Sequence, residues 1–490
     1  MNKLETLSIK TISTDSRTLK PGALFIALPG INQDERASYI EEAIKKGAVM
    51  ILSEGNLNFL KESEKLSVPL IPFSNLKAAT GYIAAQFYDD PSSKLSVIGV
   101  TGTNGKTSVT HYIAQALNKL ESPCAVMGTL GNGWVNKLKK TSHTTLDAVS
   151  IQSNLSDFLK EGACVVAMEV TSHALMQERV SGVHFNTAIF MNLTRDHLDY
   201  HQTMSSYFEA KQKLFTKCRP RAVVVNLDDT YGLEIIKHLD YQNQKVIGFT
   251  THSAIRASIP EDVLLITTPS LEFRPNGFKV CINTPWGEGI IDCALVGDFN
   301  VSNVLATLAA ICLQGFPLEL ATNAISKLKT VKGRMDKIGG KTNPTIIVDY
   351  AHTPDALKQV LESIKQHCQG KLWCVFGCGG DRDRGKRPLM AEIAECLSDK
   401  VIVTQDNPRT EDPEQIIKDI LQGLERPNQV HIEIDRLEAI QYAVLNSEAA
   451  DWIVVAGKGH EEVQIIGEKR LPFSDKIAIK EALLMRNRHA

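Results

Sequence analysis

Residues 102–107, GTNGKT, have the types and spacing of a phosphate-binding loop. Gly102 and Gly105 allow a tight turn whose backbone N–H groups point at an anion, at the positive end of the helix that follows. The Lys106 ammonium suits the β- and γ-phosphates of a nucleotide, and the Thr107 hydroxyl can hold Mg²⁺ between them. The spacing is a shorter variant of the common P-loop. We therefore predict nucleotide binding here, the alternative being a glycine-rich turn with a surface lysine.

The elements on either side must hold this loop in place, and the sequence predicts both of them. Val97, Ile98 and Val100 form a short apolar run typical of an inner parallel strand. Apolar residues then recur at helical spacing after the loop, and they are Tyr112, Ile113, Ala116, Leu117 and Leu120. A strand, a glycine loop and a helix in this order favour nucleotide binding.

Acidic and histidine side chains follow two later apolar strands. Glu169 comes near the end of the run ACVVAMEV, and His197 follows the run TAIFMNL. Because the carboxyl ends of parallel strands meet at one edge of a sheet, we expect both residues to lie near the phosphate loop. Oxygen and imidazole groups at such an edge are candidate Mg²⁺ ligands. The alternative is that each is an ordinary cap or a solvated side chain.

Four loops in the last third of the chain combine carboxylates with cations. They have the sequences DYAHTPD, GCGGDRDRGKRP, QDNPRTEDP and GKGHEE, and each follows an apolar strand. The glycines of the second loop suggest a dinucleotide fingerprint, but that motif would need glycine where Arg382 stands, so nicotinamide or flavin binding is disfavoured. Arg382 and Arg409 instead offer planar forks that match carboxylates.

The composition indicates a multidomain α/β protein. The length of 490 residues suggests about three domains, which we place at 1–90, 91–332 and 333–490. Lysine and arginine number 54 against 56 aspartates and glutamates, which provides no electrostatic basis for binding nucleic acid or a membrane surface. With no signal peptide or membrane-spanning segment in the sequence, and with ten scattered cysteines, we expect a cytoplasmic protein.

Several motifs in one order carry a family resemblance. They are TGTNGKT, MEVTSH, NLTRDHLDYH, VDYAHTPDAL, GCGGDRDRGKRP, DNPRTEDP and AGKGHE, and together they resemble those of the Mur ligases of peptidoglycan synthesis. The resemblance covers nearly the whole chain. It implies an N-terminal domain for a uridine nucleotide, a central P-loop ATPase domain with a mostly parallel sheet, and a C-terminal Rossmann-like domain for an amino acid.

The resemblance also implies a reaction. ATP would phosphorylate the D-glutamate carboxylate of UDP-N-acetylmuramoyl-L-alanyl-D-glutamate, and the amine of meso-diaminopimelate would attack the resulting acyl phosphate. ATP and the carboxylate carry like charges, so Lys106 and Mg²⁺ would have to screen them. We expect an ADP-forming ligase that works as a monomer, with no nucleic-acid partner and no insertion into a membrane.

Matching the family's motifs residue by residue implies two substrate sites. The residues implied to bind ATP are Gly102, Thr103, Asn104, Gly105, Lys106, Thr107, Ser108, Asn303, Arg334 and Asp349. Those implied to bind the UDP-linked substrate are Ser16, Asn32, Gln33, His143, Thr144, Thr145, Thr171, Gln177 and Arg179. This chain departs from the family at two of them, because His143 stands where asparagine is frequent and Thr171 where serine is common.

Lys211 is the most specific residue implied by the resemblance. Relatives carbamoylate the matching lysine, which turns a cation into an anion that can bind metal, whereas an unmodified ammonium would be repelled by Mg²⁺. We predict N6-carboxylysine at this position, the alternative being an ordinary surface lysine on a helix. The implied catalytic residues are Lys106, Glu169, His197 and Lys211, and the implied metal ligands are Thr107, Glu169, His197 and the Lys211 carbamate.

The amino-acid pocket is implied by the motifs of the last third. Diaminopimelate differs from lysine by a carboxylate at its far end, and relatives that add lysine lack the arginine at position 409. Arg409 can pair with that carboxylate, and a buried guanidinium left unpaired would penalise lysine by about 10⁴-fold. The residues implied to form the pocket are Arg382, Asp406, Asn407, Pro408, Arg409, Gly457 and Glu461.

Two other classes of protein share parts of this pattern. A folylpolyglutamate synthetase has the phosphate loop and the acyl-phosphate chemistry, but the DNPR motif and the N-terminal domain argue against it. A P-loop kinase or nucleotide-dependent switch would need no third, charged domain. Release of ADP only when a nucleotide-linked peptide and a free amino acid are both present distinguishes the ligase.

Overall fold

The computed structural model describes residues 9–29, 33–55, 68–252, 259–274 and 277–489. The chain forms two compact units. The first contains Met1–Val100, Glu121–Ala188 and Ala210–Ala222, and the second contains Thr101–Leu120, Ile189–Glu209 and Val223–Ala490. Strands alternate with helices in both units, so the predicted α/β fold class is confirmed. No helix among the described residues is long and apolar enough to cross a membrane.

The elements follow one another along the chain as alternating strands and helices. The strands are β1 (Thr11–Ser13), β2 (Ala23–Ala27), β3 (Ala48–Glu54), β4 (Leu70–Phe73), β5 (Ser96–Thr101), β6 (Cys124–Gly128), β7 (Gly131–Trp134), β8 (Lys137–Lys139), β9 (Val165–Glu169), β10 (Phe185–Phe190), β11 (Ala222–Asn226), β12 (Lys245–Phe249), β13 (Leu264–Arg274), β14 (Gly277–Thr284), β15 (Gly287–Cys293), β16 (Asp336–Gly339), β17 (Thr345–Asp349), β18 (Leu372–Phe376), β19 (Lys400–Val403), β20 (His431–Ile432), β21 (Trp452–Ala456), β22 (Val463–Ile466) and β23 (Lys469–Pro472). The α-helices are α1 (Gln33–Lys45), α2 (Leu76–Phe87), α3 (Pro91–Lys94), α4 (Lys106–Lys119), α5 (Ala148–Lys160), α6 (Ser172–Met176), α7 (Leu198–His201), α8 (Met204–Thr216), α9 (Thr230–Ile236), α10 (Phe299–Leu313), α11 (Leu318–Ser326), α12 (Pro354–Lys365), α13 (Lys386–Leu397), α14 (Pro413–Leu421), α15 (Arg436–Asn446) and α16 (Asp475–His489).

The first unit begins with a four-stranded parallel sheet in the order β1-β2-β3-β4. The strands β2 and β3 are almost continuously apolar because α1 packs on one face of the sheet and α2 on the other. The same unit also contains the strand order β10-β5-β9-β6-β7-β8, in which β5, β9 and β6 run parallel. β5 and β9 lead to the phosphate loop and to Glu169, respectively.

The second unit contains the strand order β15-β14-β13-β12-β11 and a six-stranded sheet in the order β16-β17-β21-β18-β19-β20. Within the six-stranded sheet only β16 pairs antiparallel. α12, α13 and α14 cover one face and α15 and α16 the other, which accounts for the apolar strands. The loops after β17, β18, β19 and β21 therefore leave the same edge of the sheet, where ligands of such folds bind.

Candidate active site

The phosphate loop of the second unit turns tightly into α4. Gly105 has a φ of +87°, a left-handed conformation that glycine tolerates best, and the helix starts at the next residue. The Lys106 ammonium donates to the Gly102 and Thr103 carbonyl oxygens at 2.8 and 2.9 Å. These bonds keep the cation on the loop whose backbone N–H groups suit an anion.

Asn192 supports this loop, although it was not among the predicted site residues. Its carbonyl oxygen accepts from Thr103 N at 3.0 Å, and its Oδ1 accepts from Asn104 N at 2.8 Å. Asn104 Nδ2 in turn donates to Asp355 Oδ2 at 3.0 Å. Asn192 comes two residues after β10. A polar residue at the carboxyl end of an apolar strand was therefore the signal that could have identified it.

Arg334 and Asp349 reach the same region from the start of the last third of the chain. Arg334 Nη2 donates to Thr107 Oγ1 at 3.2 Å, and its guanidinium carbon lies 4.6 Å from the ring centroid of Tyr350. Asp349 Oδ2 accepts from Met335 N at 2.7 Å. Burial raises the pKa of the Asp349 carboxyl, and the charge of Arg334 opposes that rise.

Two cavities adjoin the loop within the second unit. The smaller, of about 60 Å³, is lined by six of the residues predicted to bind ATP, namely Asn104, Gly105, Ser108, Asn303, Arg334 and Asp349. The larger, of about 510 Å³, borders Asn104 and Asn303 and extends past Phe299 and Asp355. Cavities of several hundred cubic ångströms are typical of small-molecule sites. The unit therefore offers room for a nucleotide beside a phosphate loop.

His197, a predicted metal ligand, lies beside a buried charge pair of the second unit. Its Nε2 is 3.3 Å from Asp196 Oδ2, and Lys386 Nζ is 3.4 Å from Asp196 Oδ1. Burial alone would raise the pKa of Asp196, but Lys386, His352 and His197 together hold it well below its usual value. The Asp196 carboxylate therefore stays ionised and can orient the His197 ring.

In the first unit, predicted residues for the UDP-linked substrate share a hydrogen-bond network. Thr145 Oγ1 lies 3.1 Å from Thr171 Oγ1, and the Thr145 carbonyl oxygen accepts from Arg179 Nη1 at 2.8 Å. Arg179 Nε donates to Gln177 Oε1 at 2.9 Å. The structure thus brings together four residues that the resemblance had grouped.

Glu169 is anchored in the same network. Thr129 donates to both of its carboxylate oxygens, from N at 2.8 Å and from Oγ1 at 3.1 Å, and the Thr129 hydroxyl is 3.1 Å from that of Thr144. Only 1% of Glu169 is exposed. A Cβ at Gly128 would come within 2.2 Å of Glu169 Oε1, so glycine leaves the space for this carboxylate. A fixed carboxylate of this kind is a suitable ligand for Mg²⁺.

Other residues predicted for the UDP-linked substrate are not hydrogen-bonded to this network in the described chain. The Ser16 hydroxyl donates to Glu42 Oε2 at 2.5 Å, and the exposed His143 ring contacts Ser142 Oγ at 2.9 Å. Asn32 lies outside the described residues, and Gln33 is the first residue of α1. Their roles stay predictions.

Lys211 is buried in α8, with only 1% of the residue exposed. Lysine is almost never buried to this extent without compensation, because burial penalises its charged form. The alternative of an ordinary surface lysine is therefore wrong. Carbamoylation of Lys211 stays a prediction.

The predicted metal ligands are divided between the units, with Thr107 and His197 in the second and Glu169 and Lys211 in the first. The hydroxyl, carboxylate and carbamate oxygens of this set are donors that fit Mg²⁺. Among the described residues, no group of three or more histidine, cysteine, aspartate and glutamate side chains is clustered for a metal ion. The magnesium site therefore stays a prediction.

Arg409, in the second unit, has a half-buried guanidinium without an ionic partner. Its Nη1 donates to the Gly380 carbonyl oxygen at 2.7 Å, and no carboxylate of the described residues lies within 4.0 Å of it. Burial and then the charge of Arg382 lower the pKa of Arg409. Its backbone has a φ of +53°, held by bonds to Ile465 O at 3.1 Å and from Gly467 N at 2.6 Å. This cation is placed to receive a carboxylate.

Asp406 is the acidic counterpart of Arg409. It is 8% exposed, and its carboxylate accepts no hydrogen bond from the described residues. Gly457 keeps the space beside it open, since a Cβ there would come within 2.5 Å of Asp406 Oδ2. The negative charges of Asp406 and Glu461 both act to raise the pKa of Arg409, so they lie near it. A carboxylate and a guanidinium arranged in this way match the zwitterionic end of an amino acid.

Two further residues predicted for the pocket make mainly backbone contacts. Arg382 is exposed, and its Nη1 donates to the Asp381 carbonyl oxygen at 2.8 Å. Pro408 lies against Gly380, where a Cβ would come within 1.9 Å of the Pro408 oxygen. Their contact with a ligand stays a prediction.

Three family models match the chain. The model of the Mur ligase middle domain matches residues 100–311. The model described as Mur ligase, glutamate ligase domain matches residues 333–459, and that of the Mur ligase family catalytic domain matches residues 8–88.

Individual proteins show the same similarity. The UDP-N-acetylmuramoyl-L-alanyl-D-glutamate–2,6-diaminopimelate ligase of Coxiella burnetii is 48% identical over 476 residues, which cover 97% of this chain and 96% of the relative. A solved structure of a ligase of that name is 36% identical, covers 97% of this chain and 95% of its own, and has a TM-score of 0.67. A folylpolyglutamate synthase of Mycobacterium tuberculosis, solved with ADP and AMPPCP, covers 78% of this chain and 92% of its own at 15% identity and a TM-score of 0.62, which shows a shared fold alone.

Proposed function

The chain belongs to the Mur ligase family, and we propose that it joins meso-2,6-diaminopimelate to the D-glutamate of UDP-N-acetylmuramoyl-L-alanyl-D-glutamate. It is an ATP-dependent amide ligase of peptidoglycan synthesis, as its relatives are. The observation that carries the choice of amino acid is the presence of Arg409 and Asp406 in one pocket, each without an ionic partner within 4.0 Å among the described residues. Mg²⁺ and a cytoplasmic monomer are parts of the same proposal.

A carboxylate does not form an amide with an amine in water, because its oxygen is a poor leaving group. Transfer of the γ-phosphoryl group of ATP to the D-glutamate carboxylate gives ADP and an acyl phosphate. The amine of diaminopimelate then attacks the acyl carbon and loses a proton, and inorganic phosphate leaves as the amide forms. Bound Mg²⁺ would screen the like charges of the triphosphate and the carboxylate.

The residues of the second unit fit the phosphoryl-transfer half of this reaction. The loop N–H groups and the Lys106 ammonium would hold the triphosphate. Arg334, which contacts Thr107 Oγ1 at 3.2 Å, would offset negative charge that develops at the γ-phosphate. In the first unit, the network around Thr145 and Arg179 would hold the UDP-linked peptide.

The same unit fits selection of the amino acid. Arg409 would pair with the far carboxylate of diaminopimelate, and Asp406 and Glu461 would accept hydrogen bonds from the amine beside it. Lysine has an amine at this end but no carboxylate. It would leave the guanidinium unpaired, which penalises its binding.

The test is an incubation of the purified protein with ATP, Mg²⁺ and the UDP-linked dipeptide, with either diaminopimelate or lysine, followed by mass measurement of the product. We expect the mass of one diaminopimelate residue to be added, and ADP to accumulate only when the dipeptide and the amino acid are both present. ADP release without the dipeptide, or equal use of lysine, would contradict the proposal. A parallel incubation with a folate and glutamate tests the synthetase alternative.

A further inference from the structure

Lys458 lies in the turn after β21 and is completely buried, with 0% of the residue exposed. Its Nζ donates to Asn407 Oδ1 at 3.0 Å and to Glu461 Oε2 at 2.8 Å. A lysine is rarely buried without such partners, because its ammonium loses its hydration. Both partners are residues of the proposed amino-acid pocket, whereas Lys458 was not assigned to it.

These contacts determine how the two pocket side chains are oriented. Asn407 Oδ1 accepts from both Lys458 Nζ and Ile465 N, the latter at 2.9 Å, so the carboxamide oxygen faces these donors. The amide nitrogen of Asn407 must then point the other way, and it donates to Glu461 Oε2 at 2.8 Å. Glu461 Oε2 thus accepts two hydrogen bonds from one side.

The second carboxylate oxygen of Glu461 is left for a ligand. Oε1 accepts no hydrogen bond from the part of the chain that the structure describes, and the side chain is 25% exposed. An oxygen fixed in direction and open to solvent can accept a hydrogen bond from an ammonium. Without the Lys458 ammonium, Glu461 would lose its cationic neighbour and one of the two bonds that set its direction.

We propose that Lys458 is a positioning residue that holds Glu461 and Asn407 in the geometry that binds the far amino end of diaminopimelate. The inference rests on the proposed function, because it assigns a further residue to the same pocket. Lys458 does not touch the substrate. It acts through Glu461, and it sets the affinity for the amino acid rather than the rate of phosphoryl transfer.

The first test is Lys458→Met, which keeps the length of the side chain and removes its charge. We expect the KM for diaminopimelate to rise about 10- to 100-fold, as is typical when an outer partner of a binding group is removed, while the KM for ATP stays within about 2-fold. Lys458→Gln, which retains a donor, is expected to show a smaller rise and provides the same measurement if the methionine variant does not fold. The control is Lys418→Met, at an exposed lysine paired with Glu414 at 4.0 Å.

A double variant separates positioning from general stabilisation. If Lys458 acts through Glu461, Lys458→Met should raise the KM much less in a Glu461→Gln background than in the parent, because the carboxylate it positions is already absent. Equal fold-changes in the two backgrounds would overturn the proposal. Equal rises in the KM for ATP and for diaminopimelate would also overturn it, since they indicate a structural role.

Trapping with hydroxylamine distinguishes failure of this inference from failure of the proposed function. Hydroxylamine displaces phosphate from an acyl phosphate and forms a hydroxamate, so it reports the first half of the reaction without diaminopimelate. We expect Lys458→Met to form hydroxamate at the parent rate from ATP and the UDP-linked dipeptide. No hydroxamate from the parent would contradict the proposed function. Parent hydroxamate with an unchanged KM for diaminopimelate in the variant would overturn the role of Lys458 alone.

Discussion

Arg409 is the residue on which the choice of amino acid depends most directly. Its guanidinium meets backbone oxygens, and its φ of +53° is one that asparagine tolerates. Arg409→Asn should therefore remove the charge with little backbone strain and lower kcat/KM for diaminopimelate by about 30-fold or more, the range for loss of a buried charged partner. Steady-state kinetics with diaminopimelate and with lysine measure this.

The matched control for this change is Arg426→Asn, at an exposed arginine paired with Glu395 at 3.6 Å. It should leave both kinetic constants unchanged, since an exposed ion pair contributes little. If Arg409→Asn kept the parent preference for diaminopimelate over lysine, the guanidinium would not be the element that reads the far carboxylate.

Lys211 carries the prediction of a modified side chain. Lys211→Ala should reduce turnover by about 100-fold or more, because a negative group held near the phosphates would be lost. Formate or acetate should restore part of the activity by occupying the space of the missing carbamate. Lys213→Ala, two residues further along α8, is the control and should show neither effect. Full activity of Lys211→Ala without added carboxylates would count against carbamoylation.

Single residues with distinctive motifs could be predicted from the sequence, and residues that act through tertiary contacts could not. Asn104, Asn303, Arg334 and Asp349 were assigned from family motifs and border one cavity. Asn192 and Lys458 were not assigned, because their importance lies in what they contact. The first holds the phosphate loop and the second two side chains of a pocket, and neither contact follows from spacing in the sequence.

At the level of elements, the phosphate loop depends on the backbone at Gly105. A Cβ there would lie 2.9 Å from Asn303 Oδ1, and the φ of +87° disfavours any L side chain. Gly105→Ala should therefore raise the KM for ATP about 10-fold or more, because the turn and Asn303 must both shift. Nucleotide titration and steady-state kinetics measure this effect.

Gly315 provides a matched control within the same unit. It follows α10 with a similar φ of +93°, but a Cβ there would meet nothing within 4 Å. Gly315→Ala should lower the free energy of unfolding by about 1 kcal/mol through strain and leave the KM for ATP unchanged. A similar change of KM in both variants would show that strain alone, rather than contact with Asn303, is responsible.

The pocket for the amino acid shows which elements the sequence could not predict. The strand ends that carry Asp406 and Gly457 follow from apolar runs bounded by glycine and charged residues. The hairpin of β22 and β23 was not predicted, yet Gln464 Nε2 donates to the Asp406 carbonyl oxygen at 2.9 Å and the Ile465 oxygen accepts from Arg409 N. Hairpin pairing with a loop more than fifty residues earlier is a tertiary event without a local signal.

For the whole molecule, the α/β class and the strand–helix alternation were predicted correctly, because buried parallel strands are continuous apolar runs. The order of the strands was not predicted, since it depends on long-range pairing. The domain limits at residues 90 and 332 stay predictions.

Stability of the whole chain should depend on pH through His111, which lies in α4 and is 4% exposed. Burial, assisted by the charge of Arg334, lowers the pKa of His111 from 6.5 to about 4. The unfolded chain therefore binds a proton at this site at a higher pH than the folded chain does. The free energy of unfolding should fall as the pH decreases from about 6.5 to about 4, by about 1.4 kcal/mol per pH unit from this group.

Urea unfolding at several pH values measures this dependence. His111→Phe should show a shallower fall over the same range, because the ring is retained and the titrating nitrogens are removed. Its Nε2 has no hydrogen-bond partner in the described chain, so the substitution breaks no bond there. Identical slopes for the parent and the variant would assign the pH dependence to other groups.

The phosphate loop is supported by residues that lie far along the chain. Arg334 donates to Thr107, 227 positions earlier, and Asp355 accepts from Asn104, 251 positions earlier. A gene fragment that ended before residue 334 would encode the nucleotide cradle without this support. Recombination between homologous genes should therefore preserve function only when it exchanges the cradle together with these later segments, so the two would be inherited as one block.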